Sequence, residues 1–277
     1  MNNANVKELC LDIRRTIFKV AYNSGGAHLG GCFSCVELLC SLYFGGILNI
    51  DSIDINNENR DRFILSKGHA ALSLYTVLQK RGFITEGQLF SFCKNNNYIG
   101  VHPKKNDIPG VEASTGSLGH GLSYGIGLAL AAKYKKLNFR TYCMLGDGEC
   151  QEGSVWEGAL FAPQMKLDNL TVIIDYNKLQ AMDELDNIVA LNPLADKWKS
   201  FGWQVHEIDG HDVDEIIYTL KTPSFDKPKC IIAHTVKGKG VSFMENVPIW
   251  HMRMPNEHEL EIVLKELDIK RDELDYR

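Results

Sequence analysis

Four apolar runs alternate with amphipathic stretches in the carboxyl-terminal half of the chain, and this alternation leaves few folds open. TYCML is followed by SVWEGALFAPQM, NLTVIID by NPLADKWKSF, WQVHEID by VDEIIYTLK, and KCIIAHTV by a terminal helix from about 256. Strands that read as unbroken apolar runs are buried on both faces, and helices between them supply the crossovers of a parallel sheet. The expected fold is α/β, a doubly wound, mainly parallel sheet. In such sheets ligands lie beyond the carboxyl ends of the strands, near a switch in strand order. GDG at 146–148, DYNK at 175–178 and HTVKGKG at 234–240 then share one edge.

Upstream, the pattern predicts a helix over 5–22, a glycine-rich loop at 24–31, a helix over 34–44, a loop, and a helix near 70–81. A long loop runs from about 93 to 117. It leads into HGLSYGIGLALAAKYKK, helical by period but with small residues at Ser123, Gly125, Gly127, Ala129, Ala131 and Ala132. Another backbone can approach such a surface closely, so a buried, packed helix is expected. No repeat or Pro/Ser-rich linker divides the chain, and 277 residues at 44% apolar content fit one domain spanning 1–277. A net charge of -5 without a basic stripe argues against nucleic acid. The longest apolar stretches break well short of a membrane span, and the amino terminus lacks a signal pattern, which points to no membrane and a cytoplasmic location. Eight scattered cysteines suit a reducing compartment. Cys32 and Cys35 have CxxC spacing, but no second CxxC accompanies them and Cys40 continues an apolar helical face, so they read as core residues.

The stretch TYCMLGDGECQEGSVWEGAL concentrates Asp147, Glu149, Glu152 and Glu157, which would repel an anionic ligand unless a cation intervened. Asp147 follows one strand between two glycines that let the backbone turn sharply; Asn177 follows the next. If those strands are neighbours, a carboxylate and an amide oxygen converge, both hard ligands suited to Mg²⁺ or Ca²⁺. Mg²⁺ commonly takes the rest of its shell from phosphates, and Gly148 with the helix start beyond it would offer N–H groups to a diphosphate. Alone, GDG is equally what a tight turn looks like. His28, His69, His102, His120 and His251 all lie in glycine- or proline-marked stretches. None has the i, i+4 spacing of a helical zinc pair, which favours hydrogen bonding and proton transfer. GSLGHG matches neither a Rossmann nor a Walker fingerprint. KGKG at 237–240 reads as a phosphate contact or a solvated turn, and both stay open.

HLGG, RDRFILSKGHA, GVHP, PGVEASTGSLGHG, GDGECQEGSVWEGAL, IIDYNK and the region ending in WH together resemble the amino-terminal, diphosphate-binding half of transketolase, over roughly 10 to 255. The resemblance implies a thiamine diphosphate-binding fold. It also implies metal ligation by Asp147, Asn177 and the main-chain carbonyl of Leu179, with His69, Gly148 and His251 on the diphosphate. By the same resemblance Gly116 and Leu118 lie against the cofactor rings, and His28, His69, His102 and His251 line the sugar channel. Glu152 and Glu157 look like a carboxylate cluster at a subunit interface. The pyrimidine-binding and carboxyl-terminal domains of the family have no counterpart here, so the resemblance implies one subunit of a split enzyme, α2β2 with a separate carboxyl-terminal subunit. The implied reaction is ketol transfer between sugar phosphates of the pentose phosphate pathway. Alternatives are a split transketolase for a sulfo- or branched sugar phosphate, a 1-deoxyxylulose phosphate synthase-like enzyme, and a non-catalytic cofactor-binding regulatory subunit. Leu29 after His28, His120, and Met252 after His251 depart from the family pattern, the last with a bearing on the shape of the sugar channel.

Overall fold

A computed structural model describes residues 3–95, 97 and 99–276, so positions 96 and 98 of the expected long loop lie outside it. Five parallel strands, β1 (Arg62–Leu65), β2 (Thr141–Gly146), β3 (Leu170–Tyr176), β4 (Gln204–Asp209) and β5 (Lys229–His234), form one sheet in the order β1-β2-β3-β5-β4. The helices are α1 (Asn3–Ser24), α2 (Leu29–Ser34), α3 (Val36–Phe44), α4 (Ala71–Lys80), α5 (Glu86–Leu89), α6 (Gly121–Lys135), α7 (Gly153–Gln164), α8 (Leu185–Ile188), α9 (Leu194–Ser200), α10 (Val213–Lys221) and α11 (Glu257–Glu266).

β2 and β3 are buried along their whole length, which is what their unbroken apolar runs require. Successive residues serve opposite faces: Tyr142, Met144, Ile173 and Ile231 enter the core built by α1, α3, α4 and α10, whereas Cys143, Leu145, Val172, Ile174 and Ile232 enter the one built by α6, α7 and α9. Helices therefore cover both faces. β4 is an edge strand and half-exposed, which accounts for its polar residues Gln204, His206 and Glu207. No helix among the described residues is long and apolar enough to cross a membrane.

Three elements depart from expectation. RFIL forms strand β1, which was expected as loop; four residues between polar neighbours carry no periodic signal. The loop expected at 24–31 contains the start of α2, and the helix expected over 34–44 is divided at Cys35 into α2 and α3. Gly30 and Gly31 lie within α2, where close neighbours leave room only for glycine: a Cβ at Gly30 would lie 2.9 Å from the Trp250 carbonyl oxygen, and one at Gly31 3.0 Å from the His69 ring. α6 is buried on one face only, through Leu122, Gly125, Ile126, Ala129 and Ala132, while Ser123, Tyr124 and Gly127 are exposed. A Cβ on Gly125 would sit 3.5 Å from that of Cys143, so the helix lies close on β2. Cys32 and Cys35 are fully buried, and burial pushes both thiols up, that of Cys35 to about 12.

A buried network anchors the turn after β5. Arg14 of α1 donates to both carboxylate oxygens of Glu37 at 2.6 Å and to the Phe33 carbonyl at 3.1 Å. His211 Nδ1 lies 2.9 Å from Glu37, while its Nε2 accepts the Val236 N–H at 2.8 Å. That acceptor role leaves the ring proton on Nδ1, directed at the carboxylate. Burial alone would raise the Glu37 carboxyl, but Arg14 and the His211 contact hold it at about 2, below its ordinary 4.5. A depressed acid contributes stability that is present above the unfolded value and is lost as pH falls from about 4.5 towards 2. Glu37→Gln is expected to remove up to about 3 kcal/mol of that dependence. Urea denaturation of both forms between pH 6 and 3 checks it: equal acid slopes would refute it.

Candidate functional site

The carboxyl ends of β2, β3 and β5 are adjacent, and their register places Gly146 beside Asp175 and Tyr176 beside His234. Asp147 therefore leaves β2 level with Tyr176, one residue before Asn177. Asp147 Oδ1 accepts the Gly148 N–H at 2.7 Å and Oδ2 the Lys178 N–H at 2.5 Å, so its carboxylate spans the two strand ends. Asn177 Oδ1 accepts the Leu179 N–H at 3.1 Å. Lys178 holds the turn between them with φ of 64°. Burial, and then the charge of Asp175, push the Asp147 carboxyl up to about 7 despite those N–H donors.

Of the two readings open for KGKG, the solvated turn does not hold at Lys237. Lys237 is 2% exposed and donates to the carbonyls of Leu179 at 3.2 Å and Gln180 at 2.7 Å. Burial and the nearby Lys67 bring its ammonium down to about 8.

Three further side chains, which sequence reasoning left without a role, build the floor. Glu149 is buried and accepts the N–H groups of Gly119 at 2.9 Å and Gly146 at 3.0 Å, together with the Ser66 hydroxyl. It thereby clamps the TGSLGHG loop and the SKGHA turn to the end of β2. Lys67 and Asp175 form a fully buried ion pair; Lys67 also donates to the Gly31 carbonyl at 3.0 Å, and Asp175 accepts the Ser34 and Thr235 hydroxyls. Burial would discharge both, yet Asp175 holds Lys67 above the ordinary lysine range and Lys67 holds Asp175 below the ordinary carboxylate range.

The four imidazoles expected in the channel come from four separate segments and meet. His28 lies 5.7 Å from His69, 6.1 Å from His102 and 5.2 Å from His251, centroid to centroid, and His69 lies 5.2 Å from His251. His28 precedes α2, His69 sits on the turn Gly68–Ala70 after β1, and His251 closes the turn Pro248–His251. Burial, then neighbouring charges, lowers three of them: His251 to about 3, His69 well below its ordinary value, and His28 less. These three rings are neutral at pH 7. His120 instead starts α6, exposed.

Glycines let the loops close on one another. Gly116 has φ of 132°, and a Cβ there would lie 2.9 Å from the His102 ring; a Cβ at Gly68 would lie 2.6 Å from the Gly116 nitrogen. Below the imidazoles is a cavity of about 270 Å³, lined by Lys67, His69, Leu118, Asp147, Gly148, Asn177, Leu179, Lys237 and His251, with Gln180 and Glu152 at its side. Glu152 and Glu157 are exposed. Of the departures noted above, Leu29 is core, and Met252 is 63% exposed and lies outside the cavity lining.

The donor set fits a cation with an anionic ligand. Among the described residues no three His, Cys, Asp or Glu side chains are placed to hold a metal, so one held here needs the Asn177 amide and main-chain oxygens. The Leu179 carbonyl already accepts a cationic group. The buried Asp147 carboxylate lacks a neutralising partner of its own, and a divalent ion would supply one. For an anion, the cavity offers Lys237 and two buried nitrogens without hydrogen-bond partners among the described residues, His251 Nδ1 and Gln180 Nε2.

Known proteins match the chain over most of its length. Residues 7–271 match the family described as transketolase, thiamine diphosphate binding domain. The chain is 45% identical over 257 residues to one of the subunits of apulose-4-phosphate transketolase from Actinobacillus succinogenes, covering 92% of this chain and 93% of that protein. It is 38% identical over 235 residues to the SqwG subunit of 6-deoxy-6-sulfo-D-fructose transketolase from a Clostridium species, covering 84% and 85%. The crystal structure of transketolase from Campylobacter jejuni superposes with a TM-score of 0.89 at 26% identity, covering 99% of this chain and 45% of that one. The chain thus spans less than half of that solved transketolase.

Proposed function

Because the chain belongs to the transketolase family and carries its thiamine diphosphate-binding domain, we propose that it is the amino-terminal subunit of a two-component transketolase. Its reaction moves a two-carbon ketol unit from a ketose phosphate to an aldose phosphate. The carrying observation is its correspondence, over nearly the full length of both chains, with a protein named as one subunit of such an enzyme. A modified sugar phosphate such as apulose 4-phosphate is the proposed donor, and a sulfosugar the second reading, from the relative named for sulfofructose. These two relatives draw the reading away from the pentose phosphate pathway. The partner is a separate subunit carrying the pyrimidine-binding half, in an α2β2 assembly. Eight free thiols, seven of them buried, suit a cytoplasmic location.

When bound, thiamine diphosphate supplies a carbanion-stabilising centre that allows the carbon–carbon bond beside a ketose carbonyl to break. Asp147, Asn177 and the Leu179 carbonyl would hold Mg²⁺ or Ca²⁺, and Gly148, His69 and His251 the diphosphate. Gly116 and Leu118 would lie against the rings. The neutral imidazoles of His28, His69 and His251, with His102 beside them, can accept a proton from one sugar hydroxyl oxygen and return it to another. The loops around them leave the four rings half-buried, which limits their contact with bulk water. Glu152 and Glu157, both exposed, would meet the partner subunit, Glu152 from the side of the cavity.

Reconstitution tests the proposal. The chain with its partner, thiamine diphosphate and Mg²⁺ is expected to transfer a ketol unit from apulose 4-phosphate to an aldose phosphate, and EDTA is expected to stop it. Absence of transfer from every ketose phosphate tried would overturn the assignment. Unchanged turnover in a His102→Ala complex would favour a cofactor-holding subunit instead.

A further inference from the structure

Gln180 has a role that neither the sequence pattern nor the resemblance assigns. Its main chain is fixed on both sides: its N–H donates to the Asp183 carbonyl at 3.0 Å, and its carbonyl accepts Lys237 Nζ at 2.7 Å. A bridge between Leu179 and Glu184 closes the same turn. The side chain is consequently laid over Gly148: its Cγ and Cδ lie 3.0 Å, and its Nε2 3.3 Å, from the point a Cβ of Gly148 would occupy. Nε2 is buried, has no hydrogen-bond partner among the described residues, and belongs to a side chain lining the 270 Å³ cavity. An unmatched buried donor costs free energy unless a ligand satisfies it. Of the two ends of the amide, it is the N–H side that lies buried beside Gly148 without a partner.

We propose that Gln180 donates its side-chain N–H to the diphosphate of the cofactor, beside Lys237 and above Gly148, as a binding residue for the anionic end. This rests on the thiamine diphosphate reading given above. It also explains the glycine at 148, since any side chain there would displace the amide.

Titration calorimetry on the full chain, with Mg²⁺ present, tests this using thiamine diphosphate, inorganic pyrophosphate and thiamine. Gln180→Leu is expected to weaken thiamine diphosphate and pyrophosphate about ten-fold, and to leave thiamine unchanged. Gln180→Glu, which keeps the shape but replaces the donor with an anion, is expected to weaken the two phosphates more than Leu does. The melting temperature of ligand-free Gln180→Leu should not fall below the wild type's, because no side-chain hydrogen bond among the described residues is lost and an unmatched buried donor is removed. Wild-type affinity for both phosphates in both variants would overturn the inference, as would equal weakening of thiamine and thiamine diphosphate, which would make Gln180 a wall of the pocket. If the wild-type chain, assembled with its partner subunit, bound neither phosphate, the cofactor reading itself would fall, and this inference with it.

Discussion

Asp147→Asn is expected to abolish Mg²⁺-dependent binding of thiamine diphosphate while leaving a folded chain. The carboxylate is 3% exposed, receives N–H groups from both strand ends, and is raised to about 7 by burial and Asp175. Its charge is thus kept at a cost that a bound cation would offset. Changes one shell away from a metal typically weaken it about 10–100-fold, so loss of the only charged side chain in the proposed ligand set should exceed that. Without ligand the substitution removes a desolvated charge and impairs one N–H contact, two effects of opposite sign, so the melting temperature should move little. Calorimetry with and without Mg²⁺, beside thermal denaturation, reads both. Retained Mg²⁺-dependent affinity in the folded variant would remove Asp147 from the metal site.

Lys67→Met should be the most destabilising single change in the site, by about 3–5 kcal/mol, the range for breaking a buried ion pair from one side. The methionine leaves Asp175 charged and desolvated, with only the Ser34 and Thr235 hydroxyls as partners, and takes a donor from the Gly31 carbonyl. Because the pair joins the ends of β1 and β3, and the Asp175 hydroxyl contacts add α2 and the residue after β5, the loss should be cooperative. Lys67→Met with Asp175→Leu should be less destabilised than the sum of the two single changes. Urea denaturation of the four forms gives the comparison, and strict additivity would show that the pair contributes no coupling.

The central strands were legible because burial on both faces demands continuous apolar sequence, and β2, β3 and β5 comply. Asp147 and Asn177 were legible for a related reason: each directly follows such a run, so adjacency of the strands brings them together. Gly30 and Gly31 misled in the opposite direction. Glycine usually marks a turn, but here it makes room for Trp250 and His69, neighbours that lie far away in sequence. Lys67 and Glu149 were missed because a charged residue beside a glycine turn looks solvated until the segments that bury it are assembled, and Asp175 because its partner Lys67 lies far away in sequence. Lys237 stayed ambiguous for that reason too; its acceptors, the carbonyls of Leu179 and Gln180, carry no signature in their side chains. The meeting of four imidazoles was foreseeable only by resemblance, since no local spacing links residues 28, 69, 102 and 251.

The parallel register at the end of the sheet has a consequence for how this chain can change length. Asp147, Asn177 and Lys237 take their relative heights from the hydrogen-bond ladders of β2, β3 and β5, with Gly146 level with Asp175 and Tyr176 with His234. A residue inserted into or deleted from any of these strands would turn the side chain that follows to the opposite face. The loops at the other end of the sheet, around 51–60 and 223–228, are mostly exposed and bear none of these groups, so tags, linkers and circularly permuted termini belong there.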